Sequence, residues 1–196
     1  MKVILASKSQ ARAQVLAGAG VAFETAGAGV DEDLAKEALL AQGAGPKAVA
    51  QALAQAKALA VSETRAGLVI GADQTLEFEG GLYDKAADVA AARARLLALR
   101  GRTHELHAAV VVAEAGAVIW RETATAALTM RDFSEAFLDD YLAREGEAAL
   151  GSVGCYRLEG PGAQLFSRID GDYFGILGLP LLGLLELLRR RGALIP

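Results

Sequence analysis

Four apolar residues, Val3-Ile4-Leu5-Ala6, break into Ser7-Lys8-Ser9. They are followed first by a helix-forming stretch and then by a second extended segment. This strand, helix, strand order constrains the chain more than any other feature. A short apolar run with no polar alternation is a strand buried on both faces, and such strands belong to α/β sheets covered by helices. Ser9 is placed to cap a helix over Ser9 to Ala19, with Gly18 and Gly20 near its end, and Val21 to Thr25 alternates as a second strand.

The pattern recurs along the chain. Gly27 to Glu32 reads as a loop, and Asp33 to Leu40 and Pro46 to Val61 read as helices separated by Gly43-Ala44-Gly45. Leu68 to Ala72 is a further apolar strand that ends at Asp73-Gln74. Thr75 to Phe78 and Leu82-Tyr83 flank Gly80-Gly81 as a hairpin. Asp88 to Leu99 and Ser134 to Arg144 read as helices. Thr103 to Ala113 and Val118 to Thr129 read as long strands around a Glu114-Ala115-Gly116 turn. Gly151 to Pro180 is rich in glycine, and Leu181 to Arg191 closes as a helix whose three terminal arginines complement its dipole. At 196 residues the expectation is one α/β domain, 1–196.

Composition narrows the function classes. A net charge of -4 disfavours a nucleic-acid groove, while leaving a small anionic ligand open to local clusters of cations. The single cysteine, Cys155, excludes an internal disulfide and fits a reducing, cytoplasmic compartment. The longest greasy stretch, Phe174 to Leu188, is interrupted by Pro180 and Glu186 and is too short for a membrane span, so no membrane is expected.

Several clusters carry chemical potential. At Ser7-Lys8-Ser9-Gln10-Ala11-Arg12 a strand passes into a helix, where free backbone N–H groups and hydroxyls attract anions. Arg12 is a cation at the positive end of the helix dipole, a mismatch that a phosphate offsets. The plain alternative is that Ser9 only caps and Arg12 points to water. Asp31-Glu32-Asp33 is either a hard-cation site in a loop or the acidic start of a helix. Asp73 follows an apolar strand, where open α/β sheets place their ligands. It is a candidate general base, a metal ligand, or the start of an Asx-turn. Lys57 and Lys85 can each neutralise phosphate, or simply face solvent. His104 and His107 are oddly spaced on one strand and face opposite ways, which argues against a metal shared between them. The long glycine-rich stretch around Gly151 to Ala163 implies turns or close approach to a ligand.

The order of these clusters is more specific than any one of them. Ser7-x-Ser9-x-x-Arg12, Asp31-Glu32, Gln55-x-Lys57-Ala58, Gly71-Ala72-Asp73-Gln74, Arg102-Thr103-His104, Glu159-Gly160-x-Gly162-Ala163, Gly171-Asp172-Tyr173 and Gly178-Leu179-Pro180-Leu181 together resemble the Maf family over almost the whole chain. The resemblance implies an elongated mixed sheet with flanking helices and two lobes around a cleft, related to the inosine triphosphate pyrophosphatase fold. It also implies hydrolysis of a nucleoside triphosphate to the monophosphate and diphosphate, a divalent cation (Mg²⁺ first, Mn²⁺ or Co²⁺ as alternatives) and a homodimer. Links to septum formation and to removal of modified nucleotides come with it.

By matching position, Asp73 is the expected proton acceptor, and Ser7, Ser9, Arg12, Lys57 and Lys85 the expected substrate contacts. Glu32 and Asp73 are the expected metal holders. Ala11, Gln74 and Glu159 stand where specificity varies. Many members carry Pro-Arg-Arg where Gln10-Ala11-Arg12 stand here, so one basic side chain is missing. Gln74 and Glu159 resemble the subgroup acting on 7-methyl-GTP, whereas Arg102-Thr103-His104 is closer to the thymidine/uridine-type subgroup. Two competing readings remain: a nucleotide-binding regulator of division with incidental hydrolysis, and a pyrophosphatase for deaminated purines such as ITP and XTP.

Overall fold

The computed structural model describes residues 1–196. Seven strands form one mixed sheet: β1 (Val3–Ala6), β2 (Glu24–Thr25), β3 (Leu68–Phe78), β4 (Gly81–Tyr83), β5 (Thr103–Glu114), β6 (Ala117–Met130) and β7 (Phe166–Asp170). Their order is β2-β1-β3-β5-β6-β7, with β4 also paired to β3. The helices are α1 (Gln10–Gly18), α2 (Glu32–Ala41), α3 (Pro46–Ser62), α4 (Val89–Leu99), α5 (Glu135–Glu145), α6 (Tyr173–Ile176) and α7 (Leu182–Arg190). One 3₁₀ turn, Gly146–Gly151, leads into the glycine-rich stretch, and a second, Pro161–Leu165, lies within it ahead of β7 and α6. No helix is long and apolar enough to cross a membrane. This is the α/β architecture with a mixed sheet and flanking helices that the sequence implies.

The central strand departs from the expected boundaries. The two short strands read on either side of Asp73-Gln74 are one continuous β3, because β5 pairs with it antiparallel from Val69 through Glu77. The other edge of β3 changes partner. Parallel β1 covers Leu68 to Gly71, and antiparallel β4 covers Leu76 to Phe78. Residues 72–75 therefore have no strand neighbour on that edge. The β3–β4 hairpin turns through Glu79 and Gly80, both at positive φ, as a tight primed turn requires. At the far edge β2 shrinks to Glu24–Thr25, pairing only with Ile4 and Leu5.

Alternation along β3 sorts its two faces. Leu68, Ile70, Ala72, Leu76 and Phe78 lie on one face, with Gln74 the only polar residue among them. Two core clusters lie there, one at each end of the long strands. Leu76, Phe78, Leu106, Leu128 and Phe133 pack in the first, and Ile70, Val110, Leu179, Leu184 and Leu188 in the second. The greasy segment near the C-terminus is thus core. On the opposite face lie Val69, Gly71, Asp73, Thr75 and Glu77, covered in its first half by α3.

Helix α3 begins with Pro46 at its first turn after Gly45, as the fixed φ of proline favours. Its buried stripe runs Val49, Ala50, Leu53, Ala54, Lys57, Ala58 and Val61, the spacing of one helical face. Small residues let it lie close to the sheet. A Cβ on Gly71 would stand 2.2 Å from the Ala54 carbonyl oxygen and 2.5 Å from the Ala58 nitrogen. Gly71 is therefore fixed by the close approach of backbone to backbone.

In the lobe built on the second half of the strands, His104 is buried and its Nε2 lies 2.6 Å from the Tyr156 hydroxyl. Burial pushes the imidazole down to about 4, so it is neutral in the fold.

Two outcomes follow from this packing. Gly71→Ala forces α3 away from β3 and should cost about 1–3 kcal/mol of stability, read as a lower urea midpoint; an unchanged midpoint would contradict the close packing. The unfolded imidazole binds a proton near pH 6.5, whereas the folded one does so near 4. Stability should thus be full above about pH 6.5 and fall progressively toward pH 4. An NMR titration in which native His104 protonates near its ordinary value would overturn this.

Candidate functional site

The uncovered edge of β3 opens onto a cleft of about 870 Å³. Ser7, Ser9, Ala11, Arg12, Glu32, Lys57, Asp73, Gln74, Lys85 and Glu159 all line it. These ten residues, the ones the family resemblance marks as site positions, thus face one space, although they come from six separate stretches of chain.

The opening is held by Arg12. Ser9 does cap α1, its Oγ accepting from the Arg12 backbone N–H at 3.4 Å. The Arg12 side chain, however, does not run to water. Its Nε donates to the Gly178 carbonyl at 2.9 Å, and its Nη1 donates to the Ala72 carbonyl at 2.9 Å and to Ser7 Oγ at 3.3 Å. The Ala72 carbonyl lies on the edge that β1 and β4 leave unpaired, so a side chain takes the place of a ladder partner. Gly178 adopts φ +92°, a conformation suited to glycine. Burial pulls the Arg12 guanidinium below its ordinary value, while Asp73 and Glu32 pull it back; arginine remains charged throughout the physiological range.

On the α3 face, Lys57 is only 5 % exposed. Its Nζ donates to Asp73 Oδ1 at 2.7 Å and meets Glu32 Oε2 at 2.6 Å. A buried lysine is tolerated only when paired, and truncating one member of such a pair typically costs about 3–5 kcal/mol. Asp73 is 7 % exposed and part of an unbroken strand, so it does not begin an Asx-turn. The acidic triplet is also not a loop. Helix α2 starts at Glu32, one residue earlier than expected, because Asp31 Oδ1 caps it by accepting from the Leu34 N–H at 3.1 Å. Asp33 turns to Lys36 at 3.3 Å, which leaves Glu32 alone to reach Lys57.

Gln74 projects from the other face of β3. Its Nε2 donates to the Gly175 and Ile176 carbonyls at 3.0 and 2.9 Å, both on α6. Its amide hydrogens are thereby committed, and Oε1 is left as an acceptor. Glu159 and Lys85 are exposed on the cleft wall. The segment carrying Glu159 is tied down by Arg157, whose Nε and Nη2 donate to the buried Glu145 carboxylate at 2.7 and 3.0 Å. Lys36 bridges from α2 to Asp84 beyond β4 at 2.5 Å, spanning the two sides of the cleft. Neither the Glu145–Arg157 clamp nor the Lys36–Asp84 bridge is readable from spacing, since each joins residues distant in sequence or turned by a loop. Lys57 did carry a signal, a charge on an otherwise apolar helical stripe.

The two histidines face opposite sides of the sheet, as their spacing implies. His107 joins Glu77 and Glu105 in a group able to hold a divalent cation, with one ligand atom from each lying within 4.8 Å of the others. Strand pairing, which spacing along one strand does not reveal, brings these three together.

Comparison with known proteins agrees with this geometry. Residues 2–191 match the Maf-like protein family. A nucleoside triphosphate pyrophosphatase of Caulobacter vibrioides is 60% identical over 192 residues, covering 98% of this chain and 96% of that protein. One from Granulibacter bethesdensis is 55% identical over 195 residues, covering 99% of each. A 7-methyl-GTP pyrophosphatase of Brucella abortus is 50% identical over 191 residues, covering 97% of this chain and 96% of that protein. With a family match along nearly its full length, and relatives far above the identity at which folds diverge, the chain belongs to the Maf family.

Proposed function

We propose that this chain is a nucleoside triphosphate pyrophosphatase working in the cleft beside β3, with Asp73 as the proton acceptor. The observation that carries the reading is the buried Lys57–Asp73 pair at the unpaired edge of the sheet, joined from the solvent side by the half-exposed Glu32. A carboxylate and an ammonium held at that depth have a high desolvation cost, which a polyphosphate site accounts for. The names of the similar proteins point the same way.

The roles follow from position. The first turn of α1 contains no acidic residue, and its free N–H groups face the cleft with the Ser7 and Ser9 hydroxyls as anion donors. Arg12, Lys57 and Lys85 neutralise the triphosphate. Asp73 accepts a proton from the attacking water. The water oxygen bonds to phosphorus, the α–β anhydride breaks and diphosphate leaves, so that catalysis rests on positioning and charge.

Glu32 and Asp73 suit a divalent cation, since both already converge on one positive charge, the Lys57 ammonium, at 2.6 and 2.7 Å. When bound, Mg²⁺ would neutralise developing charge on the phosphates. Mn²⁺ or Co²⁺ would be held by the same donors and supply the same charge.

For the base, Gln74 Oε1 and the Glu159 carboxylate offer acceptors. Ala11 stands where many relatives carry a basic side chain. Two acceptors suit the N–H edge of a guanine and the positive charge of a 7-methylated one, which favours 7-methyl-GTP. Domain 1–196 acts as one unit on this reading, since strands from both halves share the sheet. A reducing cytoplasm fits the lone buried Cys155, and a homodimer is carried over from the family resemblance alone.

The test is diphosphate release from a panel of standard NTPs and dNTPs, 7-methyl-GTP, ITP and XTP with Mg²⁺. Selective release from 7-methyl-GTP is the expected outcome, and silence across the panel from folded protein would overturn the reading. Asp73→Asn should lower turnover by about two orders of magnitude; normal turnover would remove Asp73 from its role. Excess EDTA should stop the reaction, and undiminished hydrolysis in chelator would count against the cation.

A further inference from the structure

We propose that Glu77, Glu105 and His107 form a second metal site, for a first-row divalent transition ion such as Zn²⁺, separate from the nucleotide cleft. None of the three lines that cleft. They lie on the same face of the sheet as Asp73, further along β3 and β5, where Glu77 stands directly opposite Glu105 and Thr75 opposite His107.

Like charges directly opposite on an antiparallel pair destabilise it unless a cation lies between them. Here the only side chain within ion-pair distance of either carboxylate is His107. Its Nε2 lies 2.9 Å from Glu77 Oε2 and 3.7 Å from Glu105 Oε2. Ligands bonded at about 2.1 Å stand roughly 3.0 Å apart at right angles and roughly 3.4 Å apart at a tetrahedral angle. The two histidine–carboxylate separations bracket these values, and all three ligand atoms lie within 4.8 Å of one another, so side-chain rotation of the two exposed glutamates brings them to one ion.

The imidazole is also oriented from behind. Its Nδ1 lies 3.1 Å from Thr125 Oγ1 on β6. With Nδ1–H donated to that hydroxyl, Nε2 presents its lone pair to the two carboxylates, an arrangement that calls for a cation. An outer hydrogen bond of this kind is how proteins fix a metal-binding histidine. The ring is buried, with its side chain 4 % exposed, while Glu77 and Glu105 are 32 % and 49 % exposed, so the ligand atoms form a socket open on the carboxylate side. A nitrogen donor beside two carboxylates favours Zn²⁺, Co²⁺ or Ni²⁺ over Mg²⁺ and Ca²⁺. The ion would tie β3 to β5 between the Thr75–His107 and Glu77–Glu105 pairs, and Thr75 is itself on the cleft wall.

The test uses tag-free, chelator-stripped protein titrated with Co²⁺ in millimolar Mg²⁺, read by calorimetry and by the visible absorption of bound Co²⁺. One equivalent should bind at this site in the wild type, over and above any Co²⁺ the cleft takes up in place of Mg²⁺, and that equivalent should remain in Asp73→Asn. His107→Gln and Glu105→Gln should weaken binding at least tenfold while keeping nucleotide hydrolysis. Glu105 is half exposed, so its variant keeps the test valid if His107→Gln fails to fold. No Co²⁺ uptake in the wild type would show His107 bonded to the carboxylates by its own proton, and would overturn the proposal. So would uptake that vanishes in Asp73→Asn but survives in the other two variants. The readout needs no nucleotide, so it stands apart from the fate of the pyrophosphatase reading.

Discussion

The Arg12 guanidinium stands where a neighbouring strand would otherwise pair with β3, bonded to the Ala72 carbonyl on that edge and to Gly178 across the opening. A sheet edge with unsatisfied backbone groups is costly when buried. Filling it with a charged side chain in place of a strand keeps the backbone satisfied and leaves room for a ligand. The change of partner from β1 to β4 produces the cleft, and β5 on the other edge keeps β3 straight through it. The two core clusters at either end of the long strands hold the walls apart.

The charges within this gap are arranged in opposition. Lys57 is offered to the cleft by a helix that packs so tightly that Gly71 has no room for a side chain. The same closeness brings its ammonium to Asp73. An ion pair at this depth is poorly screened by salt and strongly felt by anything that enters. Glu32, half exposed at the start of α2, completes the cluster from the solvent side. The site therefore depends on the relative placement of three elements, α2, α3 and β3, and on Gly71 as the contact that sets two of them.

Much of this was legible from residues alone. The apolar strand opening, the serine cap, the proline-led helix and the paired long strands all follow from local rules, and they appear close to where those rules put them. The ten residues that line the cleft were picked out through their order along the chain. The continuity of β3 was not, because an Asp-Gln pair inside a strand looks like its end until the pairing with β5 is known. The destiny of the acidic triplet was hidden for a similar reason: three carboxylates look alike in sequence, and capping, a local lysine and a distant lysine divide them. The His107 cluster and the Glu145–Arg157 clamp depend on register and on loop return, neither of which spacing encodes.

Asp73 and Gln74 are adjacent in the chain yet project from opposite faces of one strand. The first is held by Lys57, and the second by carbonyls of α6. A single pleat therefore separates the group proposed for chemistry from the group proposed to read the base, and each answers to a different scaffold. Under such an arrangement the choice of nucleotide is free to drift among descendants of one ancestor, by exchanges at position 74 and in the loop facing it, without the hydrolytic apparatus having to be rebuilt. Paralogues with divergent appetites and a common reaction are the natural lineage of a strand built this way.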